Sequence, residues 1–239
     1  MRRAVGAGFV GTGAAALAFG AAFGYVEATV VVYLRAALGL VPGAVMAHDP
    51  GTFGTFEAVE VARELATLVM IAAVGWIAGR SALERLAWAA VVFGAWDIVY
   101  YLGLRLTIGW PASLDTLDVL FLVPTPWVGP VWAPLLVSLA LVGVGLAAAR
   151  RLRVGGSIHV GIGRAVAALA GGVLVIASFL VEPNPDLTGP WTAWPVFWLG
   201  ITLAIAAAAS ALTGRGTASL PRLPFQHRSV RQPPVGTSD

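Results

Sequence analysis

Long apolar runs separated by short polar turns set the pattern of this chain. Six runs stand out, at about residues 5–34, 56–78, 86–106, 131–149, 163–181 and 192–212. A helix needs roughly 20 apolar residues to cross about 30 Å of hydrocarbon, and these runs reach that length. A membrane β-barrel would instead show alternating segments of about 10 residues. The pattern therefore predicts an all-α polytopic membrane protein with six transmembrane helices, spanning residues 1–212. The tail, 213–239, is rich in Arg, Pro and Ser and is expected to be disordered.

Within that pattern a few polar positions fall where apolar ones belong. In the third run, residues 91–104, Asp97 stands beside Trp96 and just before Tyr100 and Tyr101. The first run carries Glu27. In the second, Glu57, Glu60, Glu64 and Thr67 are spaced by three, four and three, so they share one helix face, with Arg63 off that stripe. In the first run Gly6, Gly13, Gly20 and Glu27 recur every seven residues, with Gly24 near the same face. Small residues in such a stripe let another helix approach closely.

The stretch 109–134 departs from the helical pattern, with Pro111, Pro124, Pro126, Pro130 and Pro134, three tryptophans, Asp115 and Asp118. Its apolar middle, 117–123, is too short to span. Two readings stay open: a Pro/Trp-rich interfacial or re-entrant segment, whose irregular backbone is satisfied by protein or a water cavity, and a plain interfacial loop with its tryptophans in the aromatic belt.

The charges give an orientation. All 15 basic residues are arginine. Twelve of them, Arg2, Arg3, Arg80, Arg85, Arg150, Arg151, Arg153, Arg164, Arg215, Arg222, Arg228 and Arg231, fall on one side of a six-span arrangement. Positive residues stay in the cytoplasm, so both termini are expected there. Met1-Arg2-Arg3 before an apolar run also opens a signal peptide, but this run exceeds the 7 to 15 residues of such a core and reads as an uncleaved span. The acids gather opposite. Glu27 lies eight residues below Arg35, Glu64 seven below Glu57 and Asp97 eight below Arg105, which puts each roughly 11 Å inside the outer boundary.

Composition narrows the chemistry. With 58% hydrophobic and 11% charged residues, the chain is far from the soluble average of about one quarter charged. It has no cysteine, which excludes iron–sulfur clusters, thiolate metal sites and haem attachment, and no span carries a histidine for haem or zinc. Without lysine there is no Schiff-base chemistry. The arginines follow membrane topology and form no nucleic-acid stripe, so no nucleic-acid partner is expected. The candidate site is thus Glu27, Glu60, Arg63, Glu64, Asp97, Tyr100 and Tyr101, with His48, Arg105 and Asp118 as accessories. Oxygen ligands alone suit a hard divalent ion, with Glu27, Glu64 and Asp97 as the ligand set. Charged groups within spans are costly and mark pathways or sites, and an interhelical network that only fixes packing is the alternative.

One resemblance adds context. The run Trp96-Asp97-Ile98 with Tyr100-Tyr101, then Gly109-Trp110-Pro111, Ser113-Leu114, Asp118, Leu120-Phe121-Leu122, Pro124, Pro126-Trp127 and Gly129-Pro130-Val131, resembles an uncharacterised family of bacterial multi-pass inner-membrane proteins. It extends over about residues 20–140 and implies a six-helix protein of the bacterial inner membrane. It implies no activity. Three functions fit these residues: binding or transfer of a cation (a proton, a hard metal ion or a cationic solute), an intramembrane enzyme acting on a lipid-soluble substrate through carboxylates, and an accessory subunit docking a membrane-protein partner.

Overall fold

The computed structural model describes residues 2–39, 57–123, 125–181 and 190–214. Helix α1 spans Arg2–Ala37, α2 Glu57–Ala78 and α3 Ala82–Ile108; a hairpin of β1 (Leu117–Phe121) and β2 (Trp127–Pro130) follows, then α4 (Trp132–Arg153), α5 (Ile162–Leu180) and α6 (Trp194–Thr213). Among the described residues, all six helices are long and apolar enough to cross a membrane. The chain is an all-helical polytopic membrane protein. His48 and the tail from residue 215 lie outside the described residues.

Helix α3 is the hub, packing on α1, α2 and α4. Its start is set by Ser81, whose hydroxyl accepts the Glu84 backbone N–H, and its end by Gly109, whose φ of 70° stops the helix in a left-handed turn. Trp88, Val91, Val92 and Leu104 on it are fully buried. The expected glycine stripe on α1 meets this helix: a β-carbon at Gly20 would lie 2.7 Å from the Val92 carbonyl oxygen, and one at Gly24 would strike the backbone at Trp96. Absence of those side chains lets the two backbones come together, which brings Glu27 beside the face of α3 that carries Asp97.

Where α1 and α3 begin and α2 and α4 end, one buried ion pair joins them. The Arg153 Nε donates to Glu84 at 2.5 Å. Its remaining nitrogens donate to the carbonyls of Gly8 at 2.9 Å and Ala78 at 2.8 Å and to the Thr12 hydroxyl at 2.9 Å. Glu84 also accepts from the Trp88 indole and the Arg80 backbone. Glu84 is itself buried, at 3% exposure.

The Pro/Trp-rich stretch forms strands, which its sequence did not predict. β1 and β2 pair antiparallel, Leu117 opposite Pro130 and Asp118 opposite Gly129, with an irregularity between Val119 and Phe121. The pairing runs on into the start of α4 through Val131 N–H to Thr116 and Trp132 N–H to Leu114. Trp127 stacks on Phe179 of α5 at 6.5 Å between ring centroids. Helices α5 and α6 pack mainly on each other and join the rest through β2 and α4, around Trp132, Trp191 and Phe197.

Candidate functional site

A cavity of about 200 Å³ lies between the first three helices, the hairpin, α4 and α5. Glu27, Glu60, Arg63, Glu64, Asp97, Tyr100, Tyr101 and Asp118, all singled out in the sequence, line it. Each arrives on a different local geometry. Glu60 and Glu64 come from the polar stripe of α2, Glu27 from the glycine face of α1, and Asp97, Tyr100 and Tyr101 from successive turns of α3. Asp118 hangs from β1.

The carboxylates are held by different partners. Arg63 bridges two of them: its Nη1 is paired with Glu27 and its Nη2 lies 2.7 Å from Glu60. Glu64 accepts the backbone N–H of Leu122 at 3.0 and 3.1 Å, one oxygen each, and so ties the end of β1 to α2. Asp97 accepts the Ser138 hydroxyl of α4 at 2.8 Å. Asp118 accepts the Tyr101 hydroxyl at 2.9 Å. Burial pushes the Asp118 carboxyl up to about 7; the Tyr101 hydroxyl, the Val119 backbone N–H and Arg35 oppose that shift, and the charge of Asp97 adds to it.

Two expectations need correction. Glu27, Glu64 and Asp97 do not form a metal ligand set: among the described residues no group of three or more His, Asp or Glu side chains can hold a metal ion. The reason is that Arg63, the Leu122 amide and Ser138 each draw one carboxylate to a different wall. Arg105 does not reach the cavity; its side chain donates to the Gly109 and Pro111 carbonyls at 2.6 and 2.8 Å and braces the turn that leaves α3.

Other lining groups were not foreseen. Arg35 lines the cavity at 4% exposure, with its guanidinium carbon 5.6 Å from the Trp110 ring centre; its position at the end of the first apolar run had marked it as a boundary residue. Ser138 carried no signal, because a lone serine in an apolar helix is common. The walls are aromatic: Phe93, Trp96, Trp110, Phe121, Trp127 and Phe179 join the two tyrosines. The indole N–H groups of Trp96 and Trp110 are buried with no hydrogen-bond partner among the described residues.

Among the described residues, five carboxylates and two guanidinium groups therefore share one small, aromatic-walled space. Such a set attracts positive charge, as proton or as ligand. The six apolar helices define a multi-pass membrane protein, and carboxylates line the cavity between them. Compared with protein-family models, curated proteins and solved structures, the chain matches none.

Proposed function

We propose that this protein binds a cation in the cavity between α1, α2, α3 and the hairpin. The observation that carries the reading is the imbalance of charge: Glu27, Glu60, Glu64, Asp97 and Asp118 against Arg35 and Arg63. Within spans, ionised groups are kept near others that offset them, and here two guanidinium groups face five carboxyl groups among the described residues. Asp97 adds weight, because its partner is a neutral hydroxyl and it makes no ion pair among the described residues. Aromatic faces around a carboxylate favour a compact organic cation over a divalent metal, since the rings attract an ammonium without supplying ligand atoms. Asp118, with its proton affinity near neutrality, favours a second reading, in which the cation is a proton.

The arginine pattern supports cytoplasmic termini, and the motif resemblance supports a bacterial inner membrane. On that orientation the cavity lies in the outer half of the bilayer.

Thermal melts of the detergent-purified protein test the reading. Tetramethylammonium chloride, titrated against sodium chloride at constant ionic strength, is expected to raise the melting temperature saturably, as ligand binding to the folded state requires. Asp97→Asn should abolish the rise. Identical melts in the two salts between pH 5 and 9 would sink the organic-cation reading.

A further inference from the structure

Among the described residues, the packing around the cavity is thin between α2 and α5. Helix α2 packs on α3 and lightly on α1, and α5 packs on α6 and β2, but among the described residues α2 and α5 share no extensive contact although both line the cavity. The seam between α1 and α2 is crossed by the pair Arg63–Glu27. Among the described residues, no hydrogen bond or ion pair joins α2 to α5. The hairpin bridges them: Leu122 bonds to Glu64 on α2, and Trp127 stacks on Phe179 on α5.

The side chains at this seam change character from inside to outside. Glu60, Glu64 and Thr67 of α2 are buried against the cavity, while their neighbours Leu65, Leu68 and Val69 are exposed. On α5, Ile176 lines the cavity and is 39% exposed, so one side chain belongs both to the site and to the lipid-facing surface. A polar chamber is thus continuous with an apolar flank. Its volume of about 200 Å³ suits a headgroup rather than a whole lipid, since a cavity of roughly 150 Å³ already holds benzene.

We infer that the cation is carried on a tail: the site takes the ammonium headgroup of an amphiphile from the bilayer, through the α2/α5 seam, with its alkyl chain left along Ile176 and the exposed face of α2. The inference rests on the cation reading above. Two further observations bear on it. The ammonium would meet Asp97 and the faces of Trp96 and Trp127, an arrangement that holds alkylated ammonium groups well. The buried, unpartnered N–H groups of Trp96 and Trp110 are donors that an oxygen of the same headgroup can satisfy, which a bare metal ion cannot do.

The test uses the full chain in dodecyl maltoside micelles, with tryptophan fluorescence as readout and two probes, dodecyltrimethylammonium and tetramethylammonium. Asp97→Asn in the same micelles serves as the blank, which cancels any effect of the amphiphile on the micelle. Dodecanol, with a similar tail and no charge, provides a second blank should that variant not fold. A site open to the apolar phase is fed by partitioning, whereas a site open only to water is starved by it. The expected result is half-saturation by the dodecyl compound at a total concentration at least about tenfold below that of tetramethylammonium, since each buried methylene adds to binding. Equal or weaker binding of the dodecyl compound overturns lateral access and leaves the cation reading standing. If neither ammonium compound departs from the blanks, the cation reading fails, and this inference with it.

Discussion

Ser138 on α4 donates its hydroxyl hydrogen to Oδ2 of Asp97 on α3 at 2.8 Å, and the two side chains are 1% and 8% exposed. The bond crosses 41 residues of sequence and orients one of the carboxylates of the cavity. Ser138→Ala leaves that acceptor without its donor, which costs about 1–3 kcal/mol for a buried group. The expected outcome is a lower melting temperature in detergent, together with a weaker response to tetramethylammonium. An unchanged melt would mean that cavity water replaces the hydroxyl.

Arg63 holds Glu27 and Glu60 together, so its loss should hurt more than the loss of the whole group. Breaking a buried pair from one side costs roughly 3–5 kcal/mol, and with the Arg63 side chain 23% exposed the lower end applies. Arg63→Gln is expected to melt well below wild type. Adding Glu27→Gln and Glu60→Gln to it should recover part of the loss, because the stranded charges go with it. A triple variant less stable than Arg63→Gln alone would contradict this account.

Asp118 makes stability depend on pH in a definite direction. Its carboxyl moves from an ordinary 3.8 to about 7 in the fold, chiefly through burial, so the folded state holds the proton more tightly than the unfolded chain. Its stabilising contribution is full below about 4 and is lost as pH rises toward about 7, with a slope of at most about 1.4 kcal/mol per pH unit. Melting temperatures measured from pH 4 to 8 should show this decline, and Asp118→Asn should make it shallower. Tyr101, Arg35 and Asp97 surround the group, and none of them is altered by that substitution.

Two glycines on one face of α1 should respond differently to the same change. Gly20→Ala drives a methyl to 2.8 Å from the Ala95 β-carbon, whereas at Gly13 the nearest atom, on the Trp88 ring, is 3.6 Å away. Overpacking at the first position should cost about 1–3 kcal/mol. The second should be neutral or slightly stabilising, by up to about 1 kcal/mol. Parallel melts of the two variants check the close approach of α1 to α3.

The spans and the shared level of the acids were legible because both are properties of single helices. Periodicity shows which residues share a face, and the helical rise shows how deep they sit; hence Glu27, Glu64 and Asp97 were brought to one place on paper. What was hidden depends on how elements cross. Ser138 and Arg35 become site residues only through the angles at which α4 and α1 meet α3. The strands were hidden for another reason: Trp127–Pro130 is short, ends in proline and has no alternating pattern, and its pairing is fixed by Thr116 and Leu114 on the partner side. The burial of Glu84 was hidden in the same way, because the residue that holds it in the interior, Arg153, lies 69 residues on.

That last pair also has a bearing on how the protein is made. Every group gathered around Arg153, from Gly8 and Thr12 through Ala78, Glu84 and Trp88, precedes it in the chain. Chains fold from the N-terminal side as they leave the ribosome, so the four ends stay unlocked until residue 153 emerges and then close together. Helices α5 and α6 follow as a separate pair and dock on a scaffold already complete. Synthesis thus sets a sequence of events in which the frame is finished first and the wall carrying Ile176 is added last.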